Sequence, residues 1–411
     1  MANIIDDEFA TGLAARYGSP LYAYDLDAVD RRVRELTDIL PARSRLYYSL
    51  KANPLPEIGN TLRSMCDAEV SSPGELASAL EAGFNHQRML YTGPGKTGEA
   101  LHTALRAGVR NFSCESWRDA GRLASVAGTL GVRPRAVLRV NPSLAPRAQL
   151  SMSRGAGQFG IAEETLASAP REWDRLMDAL EIVGVHVYLG TQLHDVDALE
   201  AGFRSAIDTA HRVAALLSLE LQVVDMGGGF PWPFATQASG PDLAGLRQVL
   251  STLCASARHS ADTEYWFESG RYLTASAGTL LATVIDDKVG ADGRRYVVLD
   301  AGVNALGGMA GLGRLLTSTM SVVPIEPIPA VTWTPADVVG PLCTPLDLLA
   351  RDVSLPPLPR DSLVAIPNVG AYGLTASLVA FLSHPAPAEV VYRGVDVSAA
   401  HRIVLHRERL S

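Results

Sequence analysis

The stretch SRLYYSLKANP, residues 44–54, is apolar and aromatic through Leu50 and then sets Lys51 ahead of Ala-Asn-Pro. Asn and Pro punctuate the end of a strand, so the ammonium falls at the tip of a strand that reads as buried. Lysine is among the side chains least often buried. Either Lys51 meets water where a strand ends, or its amine is a reagent.

Working outward, β-rich runs alternate with helical patterns. The predicted strands are SRLYYSL (44–50), DAEVSS (67–72), MLYTG (89–93), NFSCE (111–115), RAVLRVN (135–141), IVGVHVYLG (182–190), QVVDMGG (222–228) and YWFES (265–269). Amphipathic segments such as PGELASALEAGF and WRDAGRLASVAGTL fill most of the gaps. A helix between two strands returns the chain in the same direction, so the strands pair in parallel. Eight such units over about 225 residues suit a closed (β/α)8 barrel. The alternative, a doubly wound open sheet, lacks its glycine fingerprint after the first strand. Beyond residue 270 the texture changes. GTLLATVIDDKVGADGRRYVVLDAG reads as two strands joined by a turn at Ala291-Asp292-Gly293. SVVPIEP, AVTWT, DSLVAIP and EVVYRG follow, broken by Pro and Gly. The fold class is therefore α/β: a TIM-like barrel over 27–270 with a second, antiparallel β-domain formed by 1–26 and 271–411. The strand-like SPLYAYD (19–25) belongs to that second domain.

Composition bounds the function. With 47% apolar and 19% charged residues, a chain of 411 can build a large core. A formal charge of −8 argues against nucleic acid as a partner. No apolar run reaches the roughly 18–20 residues of a membrane span. The acidic N-terminus does not read as a signal peptide. Four cysteines without ligand spacing predict a reducing cytoplasm, with neither disulfides nor a bound metal.

Barrel enzymes act at the C-terminal ends of their strands, and phosphates are often held after strands seven and eight. Strand seven ends in DMGGGFP and strand eight in ESGRY. Glycine backbone approaches an anion closely, and Arg271 supplies a fixed cation. Lys51 falls on the same rim, where partial loss of hydration favours a neutral, nucleophilic amine. A phosphate cradle, an aldehyde-capturing lysine and the Glu268 carboxylate together suit pyridoxal 5'-phosphate.

On these motifs the chain resembles the fold-type III pyridoxal-phosphate-dependent decarboxylases, the diaminopimelate/ornithine decarboxylase family with its alanine racemase-like barrel. The resemblance runs from YGSPLYAYD to HPAPAEVVYRG and keeps the family order: YYSLKANP, VSSPGELASALEAGF, LRVNP, GTQ, GGGFP, ESGR, VVLDAGVNAL, GPLCTPLD and GAYG. It implies that Lys51 is the Schiff-base lysine and that Glu268 binds the ring nitrogen. It implies that Thr191, Gly228, Gly229, Arg271 and Tyr372 surround the phosphate, and that Cys343 returns a proton to Cα. It also implies a homodimer whose sites are shared across subunits, so that Cys343 and Tyr372 act in trans.

Three departures bear on substrate. Tyr188 stands where the family's HxHIGSQ stretch has its second histidine, with His186 two residues earlier. A phenol can still stack on a cofactor ring. Thr344 follows Cys343, where diaminopimelate and ornithine decarboxylases carry a carboxylate that pairs with the far ammonium group of the substrate. Arg314 lies near the distal-carboxylate arginine of the family, without the proline and tyrosine expected after it. This pattern resembles decarboxylases of secondary-metabolite and siderophore pathways, whose amino-acid substrates include carrier-protein-bound and conjugated forms. Three other readings are a diaminopimelate decarboxylase of lysine biosynthesis, an amino-acid racemase and a non-catalytic cofactor-binding protein. An acid at position 268 disfavours the racemase, since racemases pair the ring nitrogen with arginine.

Overall fold

The computed structural model describes residues 5–143, 158–166, 173–256, 262–307, 320–326, 328 and 332–409. The chain divides into two compact units, one of residues 30–231 and 241–273, the other of 1–29, 232–240 and 274–411.

The first unit is a closed parallel barrel. Its strands are β1 (Ser44–Ser49), β2 (Asp67–Val70), β3 (Leu90–Tyr91), β4 (Asn111–Cys114), β5 (Arg135–Asn141), β6 (Glu181–His186), β7 (Val223–Asp225) and β8 (Glu264–Ser269). Each pairs in parallel with the next, and β8 pairs with β1 to close the ring. The turns that follow the strands are fixed locally. Ser72, Thr97, Ser116 and Asp195 each cap the helix that follows by accepting a backbone N–H from three residues on. Such a cap contributes about 1 kcal/mol and fixes where the helix starts. The helix Val196–Leu217 buries Leu199, Phe203, Ala206, Ala210, Val213 and Leu217 at three- and four-residue intervals, one apolar stripe against the barrel. No described helix is long and apolar enough to cross a membrane.

Inside the barrel, Tyr47, Leu90, Val137, Val183, Val223 and Trp266 form a buried layer drawn from six strands. Side chains alternate along a strand, so the inward positions two residues further on belong to the next layer towards the C-terminal rim. That step leads from Tyr47 to Ser49, from Val137 to Arg139, from Val223 to Asp225 and from Trp266 to Glu268. On β6 the register slips opposite Ala136 and Val137, adding one residue, so the step from Val183 leads to His186. The barrel geometry thus gathers ionisable side chains into one layer.

The second unit holds a mixed sheet, which corrects the antiparallel expectation. Gly278–Val289 and Arg295–Leu299 form the expected hairpin, closed by the Gly290 N–H to Arg294 carbonyl bond of 2.8 Å. Leu21–Asp25 is antiparallel to Gly278–Val289 but parallel to Ala388–Arg393, and Arg295–Leu299 is parallel to Thr334–Val339. Hairpins impose antiparallel pairing, whereas these parallel pairs join strands separated by long stretches of chain. Ile5, Leu13, Leu21, Leu281, Ile325 and Val390 form part of its core.

Barrel closure has a sensitive point at Gly184 on β6, where a Cβ would overlap the Val223 carbonyl of β7. Gly184→Ala is expected to lower unfolding free energy by about 2–3 kcal/mol, or to prevent folding. Urea denaturation checks this, and an unchanged midpoint would contradict it.

Candidate active site

The β1 strand ends at Ser49, and a single 3-10 turn, Leu50–Ala52, sets Lys51 on the rim. Its side chain remains 43% exposed, while Nζ lies 3.2 Å from Oε1 of Glu69, which is only 3% exposed. Glu69 also accepts the Thr92 hydroxyl at 2.8 Å and the Ser49 hydroxyl. Burial alone would raise the Glu69 carboxyl. The Lys51 ammonium and these hydroxyls outweigh burial and hold it below the ordinary range. The lysine that ends the strand therefore balances a buried carboxylate.

Deeper in the mouth, His186, Asp225 and Glu268 are fully buried neighbours whose polar atoms lie within 4.8 Å of one another. His186 Nδ1 is 2.8 Å from Ser113 Oγ, and its Nε2 is 3.6 Å from Glu268 Oε1. Asp225 accepts the Gly227 N–H at 2.9 Å. Burial, then the charges of Glu69 and Asp225, push the Glu268 carboxyl well above its usual range. Burial likewise raises Asp225 to about 7, with the charge of Glu69 adding to it. His186 is held neutral, by burial first and then by Arg139, Lys51 and Lys96. Arg139 turns its charge towards Glu115 at 2.8 Å and lies over the Tyr188 ring, 5.7 Å from its centroid.

The loops after β6, β7 and β8 supply the rest of this rim. Thr191 is half-buried in the first. Gly227 sits at φ +63°, and a Cβ there would press on the Tyr188 ring at 2.8 Å; one on Gly228 would meet the Glu268 carbonyl at 2.6 Å. The glycine turn therefore runs flush between Tyr188 and the end of β8, as only glycine permits. Arg271, 5% exposed, opens the short turn after β8.

Cys343, Thr344 and Tyr372 belong to the second unit. Cys343 is exposed. Thr344 accepts the Leu346 N–H at 3.3 Å, turning its hydroxyl into its own loop. That loop hangs on Asp347, whose buried carboxylate accepts the N–H groups of Leu342 and Val303, each at 2.7 Å. Tyr372 is half-buried with a left-handed backbone, φ +57°. Arg314 lies outside the described residues.

The motifs assign no site role to Glu69, Ser113, His186 or Asp225. The signal for two of them is an acid inside a predicted buried strand, Glu69 in DAEVSS and Asp225 in QVVDMGG. Buried carboxylates are rare unless partnered.

A family model described as "Pyridoxal-dependent decarboxylase, pyridoxal binding domain" matches residues 26–275. The chain is 30% identical over 396 residues to an L-glutamyl-[BtrI acyl-carrier protein] decarboxylase of Niallia circulans, covering 95% of this chain and 92% of the relative. It is 31% identical over 400 residues to a diaminopimelate decarboxylase of Zymomonas mobilis, covering 93% and 89%. Among solved structures, diaminopimelate decarboxylase of Helicobacter pylori complexed with L-lysine superposes with a TM-score of 0.81 at 26% identity, covering 95% of each chain. The chain belongs to the pyridoxal-dependent decarboxylase family. It is a carboxy-lyase that acts on amino acids with pyridoxal 5'-phosphate.

The residues fit that cofactor. Glu268 Oε1 and Asp225 Oδ2 are buried without a hydrogen-bond partner among the described residues, so a cationic ring N–H answers a cost of about 1–3 kcal/mol per atom. The flush glycine turn leaves backbone, not side chains, facing the rim.

Because burial raises its folded carboxyl to about 7, Asp225 keeps a proton that the unfolded chain loses near the ordinary aspartate value of 3.8. The folded state binds more protons across that window, so stability falls as pH rises from about 4 to about 7 and levels off above. In cofactor-free protein, Asp225→Asn is expected to remove part of that slope, on the order of 1–3 kcal/mol between pH 5 and 7.5. Urea midpoints across the range check this, and identical slopes would contradict it.

Proposed function

We propose that this decarboxylase acts on an amino acid presented on a carrier protein or as another conjugate, in a cytoplasmic secondary-metabolite or siderophore pathway. The observation carrying this reading is Thr344. Relatives of the diaminopimelate and ornithine types have a carboxylate at this position, whereas here a hydroxyl is already committed to the Leu346 N–H. A diamino substrate left with a buried, unpaired ammonium loses on the order of 2–5 kcal/mol. The Niallia circulans relative, an L-glutamyl-[BtrI acyl-carrier protein] decarboxylase, supports the same direction.

Bound pyridoxal phosphate supplies an electron sink for the pair left behind as the carboxyl group departs as carbon dioxide. The chain's own residues do the rest. Lys51 is the covalent anchor, and Glu69 holds its Nζ in place at 3.2 Å. Glu268 would pair with the ring nitrogen, and Tyr188 would help to hold the ring. Thr191, Gly228, Gly229, Arg271 and Tyr372 bind the phosphate. Cys343 delivers the proton to Cα, and Arg314 and Thr344 meet the distal part of the substrate. The barrel, 27–270, carries the cofactor; Cys343 and Tyr372 of 271–411 complete the site of a partner subunit in a homodimer.

Carbon dioxide release from the cofactor-loaded protein tests this. A carrier-linked or otherwise conjugated amino acid is expected to exceed meso-diaminopimelate by at least about 100-fold in kcat/KM, the equivalent of about 2.7 kcal/mol. Thr344→Glu is expected to recover roughly tenfold on diaminopimelate. Comparable turnover of free diaminopimelate by the unaltered protein would overturn the assignment.

A further inference from the structure

We infer that His186, set by Ser113, is a positioning residue that holds the Glu268 carboxylate in the orientation required by the cofactor ring nitrogen. This rests on the reading that Glu268 meets that nitrogen. Both groups come from β-strand ends in the barrel's inner layer, and both are buried, at 1% and 4% exposure. Nε2 of His186 and Oε1 of Glu268 each have no hydrogen-bond partner among the described residues. They face each other at 3.6 Å, just beyond hydrogen-bond range. Two buried polar atoms unsatisfied side by side are costly unless a small side-chain rotation joins them.

Chemistry selects the tautomer. A neutral imidazole carries one N–H. Were it on Nδ1, donating to Ser113 Oγ, the Nε2 lone pair would confront the carboxylate oxygen of Glu268 in the ionised form that a cationic ring nitrogen requires. With Ser113 donating to Nδ1 across 2.8 Å, the hydrogen lies on Nε2 and points at Glu268. Ser113 is fully buried, so its hydroxyl has little competition from water. The groups packed around the imidazole from other strands are Arg139 of β5 and Asp225 of β7, with Lys51 and Lys96 beyond them. Asp225 Oδ2, 4.0 Å from Nδ1, is the only other carboxylate oxygen within ion-pair distance among the described residues. The register slip on β6 is what turns His186 inward.

The experiment compares His186→Phe, His186→Gln, Ser113→Ala and Glu268→Gln. Each cofactor-free protein is titrated with pyridoxal phosphate, melted without it, and assayed when loaded. Loss of one hydrogen bond to a charged group predicts a cofactor Kd raised roughly 10- to 100-fold in His186→Phe. kcat should fall by a similar factor while KM changes little. His186→Gln, which keeps a donor near the Nε2 position, is expected to recover most of both, and Ser113→Ala to fall between. A purely structural role would instead lower the cofactor-free melting temperature of His186→Phe and leave the Gln variant no better. That outcome overturns the inference, as does unchanged cofactor affinity in His186→Phe while Glu268→Gln is impaired. Glu268→Gln with unchanged cofactor affinity would instead overturn the underlying reading of Glu268.

Discussion

Three buried carboxylates, Glu69, Asp225 and Glu268, share the mouth of one barrel, and protein cations balance them unevenly. Lys51 pairs with Glu69 at 3.2 Å, and Arg139 is drawn towards Glu115. Glu268 and Asp225 therefore titrate high, and His186 stays neutral between them. Desolvated charge of one sign is expensive, so the arrangement is stable only with protons or a cationic group among the acids. A pyridinium ring answers that constraint, which links the electrostatics of the apoprotein to the chemistry of the family.

The fold makes this concentration of acids possible. Hydrophobic side chains fill the layer below, from Tyr47 to Trp266, and form a rigid floor. Closure by β8 on β1 brings Glu268 into the same mouth as Ser49, and through it Glu69. The Gly227–Gly229 turn then passes against Tyr188 and β8 with no side chain in the way. Stability and catalysis draw on the same strands here, so substitutions at the rim are expected to move cofactor affinity and folding together unless a test separates them.

Much of this was legible because barrel strands buried on both sides read as short apolar runs bounded by helix caps. Arg135–Asn141 has the bounds its sequence implies, and Lys51 and Glu268 stand at strand ends that the apolar runs mark. The strands Thr334–Val339 and Leu348–Leu355 were hidden. Pro335 and Asp337 look like turn residues, yet Asp337 sits buried in the sheet, held by Arg294 at 2.9 Å. His186 was equally hidden as a neighbour of Glu268. Its inward direction depends on a one-residue slip against β5, and the local pattern of apolar residues does not encode that slip. The direction of pairing between Leu21–Asp25 and Ala388–Arg393 is likewise set by the path of the whole chain, not by either segment.

The chain contains only three lysines, which makes the proposed anchoring of the cofactor on Lys51 open to direct measurement. Lys96 is buried against Asp119 at 2.9 Å, and Lys288 is exposed near the end of Gly278–Val289. Borohydride reduction of the cofactor-loaded protein, followed by peptide mass mapping, should give one modified peptide, the one that carries Lys51. A reduced cofactor on Lys96 or Lys288, with Lys51 unmodified, would contradict it.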